Sequence, residues 1–266
     1  MPILKLTDEE LDSYLYDLGL RSGHHVLVHS RLLALGYLQR GAASVFDALQ
    51  NAIGPQGTLV VPAFNLYMPE GYIFDPHHTE PQGMGSLTNF IWNQGNWHRS
   101  ACPIHSHLGV GKKANLLNTV SGNVSLGDGC DFQIFHEHGF HMLMLGVTFN
   151  EGASYMHYVE YTARVPYRES IQLPRRRKDA HGNILDIIVE YYGRPTADLR
   201  DGNKHRKYLE NYNAVEELMT SHGLLTRKPC AYGYSTYMTV KDAHDCAMSM
   251  VRDAPYAMVL ENPERA

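Results

Sequence analysis

Two side chains able to do acid–base chemistry, His157 and Glu160, lie three residues apart in the stretch SYMHYVEYTAR at residues 154–164. If this stretch is helical, both side chains project from the same face. A histidine can act as a general base near neutral pH because its unperturbed pKa is ~6.5, and a nearby carboxylate can orient the ring and stabilise the imidazolium. The same spacing also fits an ordinary helix in which His157 packs locally and Glu160 is exposed.

Strands and helices alternate in the sequence that must position this pair. Continuous apolar runs predict buried strands at residues 24–30, 58–64 and 140–147, and apolar residues at helical spacing predict a helix at 44–54. The third strand runs directly into the stretch that carries His157. We therefore expect this residue in the first turn of a helix, just past the carboxyl end of a strand, where layered α/β folds bind their ligands.

The remaining elements complete the predicted fold. A hairpin is expected at 170–174 with 184–193. It is followed by a helix at 207–223, a short strand at 234–240 and a second helix at 240–254. Together these elements predict a three-layer α/β/α fold with a central mixed, largely parallel sheet and a small hairpin and helical appendage. A chain of 266 residues that is 44% hydrophobic can bury one large core, so we expect residues 1–266 to form a single domain.

Charge and composition argue against several function classes. The formal net charge of −5 gives no general attraction to nucleic acid or anionic lipid. The one basic run, PRRRK at 174–178, lacks interleaved aromatic residues, which favours a solvated turn over a nucleic-acid patch. Four scattered cysteines without a C-x-x-C pair favour a reducing compartment, and no apolar run approaches the ~20 residues that cross a bilayer. We expect a cytoplasmic protein that binds neither nucleic acid nor membrane.

Metal and nucleophilic chemistry have weaker sequence signals. The chain has 16 histidines, including the cluster HEHGFH at 136–141, but none follows H-E-x-x-H or a zinc-finger spacing, so we expect no metal. No G-x-S-x-G elbow is present, and Cys102 and His105 in SACPIH are neighbours only in sequence. At His157, a general base and an ordinary helix surface both stay open on spacing alone.

Six motifs follow one another between about residue 25 and residue 168. In order they read VLVHSRLLALG, GTLVVPAF, FDPHHTEPQGMG, RSACPIHSHLGVG, LMLGV and SYMHYVE. Their residue types and their order resemble those of the aminoglycoside 3-N-acetyltransferase family, also called the antibiotic N-acetyltransferase family. The resemblance covers over half of the chain and is specific because it is ordered and collective.

This resemblance implies transfer of an acetyl group from acetyl-CoA to an amine. His157 matches the family's catalytic histidine and is expected to act as a general base, with Glu160 as its partner, for a gain of typically ~10²–10⁴-fold in rate. Direct transfer would need no covalent enzyme intermediate. Hydroxyl groups are expected on the pantetheine arm and guanidinium groups on the CoA phosphates. The implied cofactor-binding residues are His29, Ser30, Arg31, Arg99, Ser100 and Ser106.

The chain also departs from the family pattern. Three motif positions carry other residues than the family's: Arg31, Cys102 and Ser154. Members that modify aminoglycosides also supply an acidic residue near the start of the hairpin, where this chain has Gln172. Glu160 or Glu169 would then replace that carboxylate, or His157 would act with a neutral partner.

The acceptor amine is expected to contact residues 65–85, with Asp75, Glu80 and Gln172 as candidate substrate-binding residues. A pocket for polycationic aminoglycosides needs many carboxylates, and this region is only moderately acidic. We therefore expect an amino sugar or related small molecule as acceptor, including nucleotide-linked forms.

Other outcomes stay open at this point. The hairpin and the C-terminal segments could add Asp186, Glu190 or Asp201 to the acceptor site. The alternatives for function are an aminoglycoside 3-N-acetyltransferase that confers antibiotic resistance and a non-catalytic CoA-binding relative. A homodimer is open as well.

Overall fold

The computed structural model describes residues 5–194 and 207–263. Its helices are α1 Asp8–Leu18, α2 Ala42–Ile53, α3 Gly85–Gln94, α4 Asp131–Glu137, α5 Phe149–Gly152, α6 Met156–Thr162, α7 Asn213–Ser221 and α8 Val240–Asp253, with 3-10 turns at Leu32–Leu35 and Ala114–Thr119. Its strands are β1 Lys5–Leu6, β2 His25–Ser30, β3 Tyr37–Leu38, β4 Thr58–Pro62, β5 Ile73–Phe74, β6 His98–Arg99, β7 His107–Gly111, β8 His141–Leu145, β9 Glu169–Lys178, β10 Ile184–Gly193, β11 Tyr208–Glu210, β12 Thr226–Cys230, β13 Gly233–Thr239 and β14 Val259–Glu261.

The largest sheet has seven strands in the order β12-β13-β8-β2-β4-β7-β6. Strands β8, β2 and β4 are parallel to one another, whereas both edges of the sheet are built from antiparallel pairs. Strands β12 and β13 are joined by a short turn, which requires them to be antiparallel. The predicted mixed sheet is confirmed, but it is not largely parallel: the parallel pairs are the two among the three central strands, and the other four pairs of this sheet are antiparallel.

Side chains of the central strands alternate between two hydrophobic cores. Val26, Val28 and Leu59 belong to the core on the side of α1, α2 and α3. Leu27 and Val60 belong to the core on the other side, where α4, α6, α7 and α8 pack. Because both faces of these strands are covered, their sequences are continuous apolar runs rather than alternating ones. This arrangement confirms the predicted three-layer α/β/α architecture.

The predicted hairpin is confirmed as β9 and β10, which pair over ten residues each. Strand β5 adds a third, parallel strand to it. The basic run at 174–178, expected to be a solvated turn, is the end of β9 instead. Strand pairing holds its backbone, and the arginine side chains alternate between half-buried and exposed positions, as the pleat requires.

Two absences hold for the described residues. Every helix within 5–194 and 207–263 is too short or too polar to cross a bilayer. In the same ranges, no group of three or more His, Cys, Asp or Glu side chains is arranged to hold a metal ion.

Candidate active site

A cavity of about 430 Å³ opens at the carboxyl ends of the three parallel strands. Parallel strands present their carboxyl ends at one edge of the sheet, which is where α/β folds usually bind ligands. The residues that line it are His29, Ser30, Pro62, Phe64, Gly83, Met84, Gly85, Val147, Phe149, Asn150, Glu151, Gly152, Ala153, Ser154, His157, Glu210 and Tyr212.

The chain turns sharply between β8 and the helix that carries His157. Gly146 has a φ of +71°, and a side chain there would approach Ala34 Cβ to 2.7 Å, so the turn requires glycine. Thr148 and Glu151 then form a capping box around the single turn of α5. Helix α6 begins at Met156 a few residues later. His157 therefore stands in the first turn of a helix at the edge of the cavity, as the sequence predicts.

His157 is held through one of its ring nitrogens. Its Nδ1 lies 3.0 Å from Glu160 Oε2 and 2.7 Å from the hydroxyl of Tyr212, which also donates to Glu160 Oε2 at 2.9 Å. Among the described residues, all hydrogen-bond contacts of the ring are made by Nδ1. Since His157 lines the cavity, Nε2 is the nitrogen available to a ligand there.

Glu160 is a fully buried carboxylate with several partners. Arg168 Nε lies 2.7 Å from Glu160 Oε2, an ion-pair contact whose angle is not that of a hydrogen bond, and Tyr167 donates its hydroxyl to Oε1 at 3.0 Å. Burial by itself raises the pKa of Glu160, but Arg168 and His157 outweigh burial and hold this pKa at about 2. Glu160 is therefore ionised at neutral pH.

Burial and the positive charge of Arg168 lower the pKa of His157, and Glu160 offsets this only in part. The ring is therefore neutral at pH 7. Two groups compete to set its tautomer: the Glu160 carboxylate favours a proton on Nδ1, whereas Arg168 Nη2, 2.7 Å from Nδ1, favours an unprotonated Nδ1. When Nδ1 carries the proton, Nε2 presents its lone pair to the cavity and can accept a proton.

The sequence between residues 27 and 252 matches the family model of aminoglycoside 3-N-acetyltransferases. This match covers most of the chain. The chain belongs to the aminoglycoside 3-N-acetyltransferase family. It is an acetyl-CoA-dependent N-acetyltransferase, and acetyl-CoA is its co-substrate, as the six motifs implied.

Curated members of the aminoglycoside 3-N-acetyltransferase family are similar to this chain over much of its length. Aminoglycoside N(3)-acetyltransferase III of Serratia marcescens is 29% identical over 183 residues, which are 62% of this chain and 68% of that protein. The SPbeta prophage-derived aminoglycoside N(3')-acetyltransferase-like protein YokD of Bacillus subtilis (strain 168) is 27% identical over 187 residues, with the same coverage of 62% and 68%.

Solved structures share the fold. The CoASH complex of AAC-IIIb superposes with a TM-score of 0.79 at 20% identity, covering 94% of this chain and 97% of the other. Aminoglycoside acetyltransferase AAC(3)-Xa superposes with a TM-score of 0.82 at 20% identity, covering 94% and 93%. At this level of identity the likeness extends to the fold alone.

Two of the six predicted cofactor-binding residues of this family member, His29 and Ser30, line the cavity. Arg31 follows them and makes an exposed ion pair of 2.6 Å with Glu151, which is a lining residue. Burial lowers the pKa of His29 to about 3, so that ring stays neutral. His29 Nε2 lies 3.4 Å from the hydroxyl of Ser154.

The other three predicted cofactor-binding residues, Arg99, Ser100 and Ser106, are buried and do not line the cavity. The guanidinium of Arg99 donates to Ser106 Oγ, Asn65 Oδ1 and the backbone carbonyls of Ala63 and Thr79. These bonds tie together the loops after β4 and β5, which is a structural role. Ser106 itself donates to the Ala63 carbonyl.

Ser100 is the third buried case. Its hydroxyl donates to Asp131 Oδ2, which also lies 2.7 Å from His107 Nδ1. Nearby Cys102 is equally buried, and burial raises the pKa of its thiol to about 11. The thiol is therefore protonated and out of reach of substrate, which removes Cys102 as a nucleophile.

The predicted substrate-binding residues lie elsewhere than the cavity wall. Asp75 contacts Lys178 at 3.1 Å and His78 at 3.0 Å, while Glu80 and Gln172 are exposed. Asp75 is largely buried and its carboxylate is contacted by Lys178, whereas the exposed Glu80 can be hydrated by solvent, so neither carboxylate needs to face the cavity. Asp186 and Glu190 are on β10, and Asp201 lies outside the described residues.

Three residues that the sequence did not suggest complete the site. Arg168 follows α6 and Tyr212 precedes α7, and both contact the His157 and Glu160 pair. Glu210 lines the cavity next to Tyr212 and pairs with Arg194 at 3.1 Å. Of these three, only Arg168 could have been suggested by the sequence, because it lies at the end of the segment that resembles the family.

Proposed function

We propose that this chain transfers the acetyl group of acetyl-CoA directly to the primary amine of an amino sugar or related small molecule, with His157 as general base. The main support is the orientation of His157: Nδ1 faces Glu160 at 3.0 Å, and the ring borders the cavity at the strand ends. Glu160 orients the ring and, being ionised, stabilises the imidazolium that forms during transfer.

The reaction follows from the chemistry of the amine. The neutral nitrogen attacks the thioester carbonyl, and as the carbon–nitrogen bond forms its proton becomes acidic and passes to His157 Nε2. When the carbon–sulfur bond breaks, the leaving CoA thiolate can take the proton back from the imidazolium. The enzyme side chains return to their starting state, so the step needs no covalent intermediate.

Acetyl-CoA is proposed to enter beside the end of β2. His29 and Ser30 line the cavity there, and Arg31 is exposed at the rim, where its guanidinium can exchange Glu151 for a phosphate group. An exposed ion pair contributes only ~0–1 kcal/mol to stability, so this exchange meets little resistance.

The charge of the cavity supports an acceptor with few amines. Of its two carboxylates, Glu210 pairs with Arg194, and Glu151 pairs with Arg31 until that guanidinium turns to a CoA phosphate. A polycation gains most from a site with excess negative charge, and with CoA bound the lining offers Glu151 alone without an arginine partner. The names of the curated relatives favour the second candidate, an aminoglycoside acceptor with antibiotic resistance as its result.

The experiment is a free-thiol assay with acetyl-CoA and a panel of amines: gentamicin, glucosamine, a nucleotide-linked amino sugar and spermidine. Thiol release reports transfer whichever amine accepts the acetyl group. We expect an amino sugar to give the highest kcat/KM, since this ratio measures differential transition-state binding. If gentamicin gives the highest value, the second candidate is correct. Calorimetric binding of CoA without thiol release from any amine would indicate a non-catalytic relative.

A further inference from the structure

A second, larger cavity of about 1060 Å³ lies between a loop and the β9/β10 hairpin. We call it the hairpin groove and define it by residues 66–72 on the loop and residues 173–176 and 186–188 on the hairpin. None of these residues is used by the acetyl-transfer chemistry proposed above. The groove is large enough for several linked rings of a ligand, because typical small-molecule sites have volumes of ~300–1,000 Å³.

The groove has a fixed apolar floor and aromatic walls. Leu66, Leu173 and Ile187 pack against a small buried cluster that includes Ile104. At the loop side, the side chains of Tyr67 and Tyr72 are 53% and 40% exposed, and on β10 Ile188 is 50% exposed. Contiguous exposed apolar and aromatic surface of this kind marks a binding site more often than a plain surface. The C–H faces of sugar rings pack well on tyrosine rings.

The charges around the groove balance. Its charged lining residues are two acidic and two basic ones: Glu70, Asp186, Arg175 and Arg176. Arg176 Nε lies 3.2 Å from Asp186 Oδ1, in an exposed pair. A lining without excess charge gives no advantage to a polycation or to a polyanion, so it suits an uncharged polar ligand such as a sugar chain.

One wall connects the groove to the active-site cavity. Phe64 lines the cavity and Leu66 lines the groove, and two residues span at most ~7 Å between their Cα atoms. Gln82 holds the segment between Phe64 and Tyr67 in place. Its side-chain amide accepts from the backbone N–H of Tyr67 and donates to the Tyr67 carbonyl, both at 3.2 Å, and its backbone N–H donates to the Phe64 carbonyl. The next residue, Gly83, lines the cavity again.

The hairpin provides the second connection. Arg168, which contacts His157 Nδ1 at 2.7 Å, immediately precedes β9. Leu173 on the groove floor is five residues further along, a distance of ~17 Å at the usual strand rise. Each wall of the groove is thus joined by a few residues of chain to a residue at the active site, Leu66 to Phe64 and Leu173 to Arg168.

We propose that the hairpin groove binds the remote, uncharged rings of an oligosaccharide whose terminal amino sugar is acetylated at His157. This inference rests on the proposed function, and it makes the acceptor an oligosaccharide amine instead of a free monosaccharide. Tyr67 and Tyr72 stack on the remote rings and set the preference for acceptor length.

Turnover tests the proposal with two acceptors that carry the same reacting amine: glucosamine, and chitotriose with a single free amine on its terminal ring. We expect the trisaccharide to have at least about tenfold higher kcat/KM, and Tyr67→Ala and Tyr72→Ala each to remove most of this advantage while glucosamine turnover is unchanged. Tyr16→Ala is the matched control, because Tyr16 is 60% exposed on α1, away from the groove. Ile188→Asn provides a third groove variant should a tyrosine variant fold poorly.

A binding experiment tests the groove independently of catalysis. Fully acetylated chitotriose has no amine to accept an acetyl group, so calorimetry measures its groove affinity alone. We expect binding that weakens about tenfold in Tyr72→Ala and is unchanged in Tyr16→Ala. Equal kcat/KM for both acceptors together with no trisaccharide binding would overturn the groove proposal, while the proposed function would stand. Trisaccharide binding without acetylation of either acceptor would refute the proposed function and leave a saccharide site in the groove.

Discussion

His157 Nδ1 lies 3.0 Å from the carboxylate of Glu160, one turn further along α6, and this carboxylate is fully buried. A buried charge persists only when it is well paired. Here Arg168 and two tyrosine hydroxyls complete the pairing, so the negative charge that faces the imidazole is held in one place. The pair is thus a fixed ring with a fixed counter-charge rather than two exposed helix residues.

Tyr212→Phe should lower kcat about tenfold, because its hydroxyl contacts both Glu160 Oε2 and His157 Nδ1 and helps to orient the ring. Tyr167→Phe is the matched control. It also removes a hydroxyl bonded to Glu160, but from Oε1, and it makes no described contact with His157. Both variants should lose ~1–2 kcal/mol of stability. Equal losses of kcat in steady-state assays would show that the hydroxyl of Tyr212 acts only through the carboxylate.

Glu160→Gln should destabilise the fold by ~3–5 kcal/mol in urea unfolding, because it leaves the buried guanidinium of Arg168 without its counter-charge. The double variant Glu160→Gln with Arg168→Met removes both charges and should regain most of that stability. Its kcat should stay low, since nothing then stabilises the imidazolium. Recovery of kcat along with stability would mean that Glu160 has only a structural role.

Contacts within one helix turn can be predicted from the sequence at this site, whereas contacts between distant segments cannot. Residues on one helix turn, His157 and Glu160, could be paired from spacing, because helix geometry alone brings them together. Tyr212 comes from a segment 52 residues after Glu160, and only the tertiary fold delivers its hydroxyl to the carboxylate. The central strands were equally predictable, since burial on both faces leaves continuous apolar runs in the sequence.

Arg99 is a residue whose role could not be predicted from its residue type. The residue type suggests a phosphate ligand, but a guanidinium has five donors, and here the acceptors are backbone carbonyls of the loops after β4 and β5 together with two buried side chains, Ser106 and Asn65. Sequence gives no indication of whether such donors end up satisfied inside the protein. The basic run at 174–178 was misassigned for a similar reason, because strand pairing with β10 overrides its local preference for solvent.

Arg31 and Arg99, both predicted from the sequence to bind CoA, should behave differently when substituted. Arg31→Gln should raise the KM for acetyl-CoA and weaken the salt dependence of that KM while leaving the melting temperature within about 2–4 °C. The side chain is exposed, and its ion-pair partner among the described residues is Glu151. Arg99→Gln should lower the melting temperature strongly, since it removes the guanidinium that donates to the buried Thr79 carbonyl and Asn65 Oδ1. Thermal unfolding and CoA titration of both variants check this. An Arg99→Gln protein of normal stability that cannot bind CoA would show that Arg99 binds CoA and has no structural role.

The rate should depend on pH through His157. Burial and Arg168 lower the pKa of this ring, and a general base works only when it is unprotonated, so activity should be retained at neutral pH and lost as pH falls through a midpoint below ~6.5. The measurement is kcat/KM against pH for two amines of different basicity, calculated per neutral amine. The midpoint should be the same for both. A midpoint that follows the amine, or one above 6.5, would contradict the assignment.

The most direct test of the account is the kcat of His157→Ala, measured by thiol release at saturating acetyl-CoA with the best acceptor of the panel. The side chain lies at the cavity edge and the carboxylate keeps Arg168 and both tyrosines, so the variant should fold and bind CoA with unchanged Kd by calorimetry. Loss of the base should lower kcat by ~10²–10⁴-fold. Near-normal kcat in a folded, CoA-binding His157→Ala protein would show that another group takes the proton.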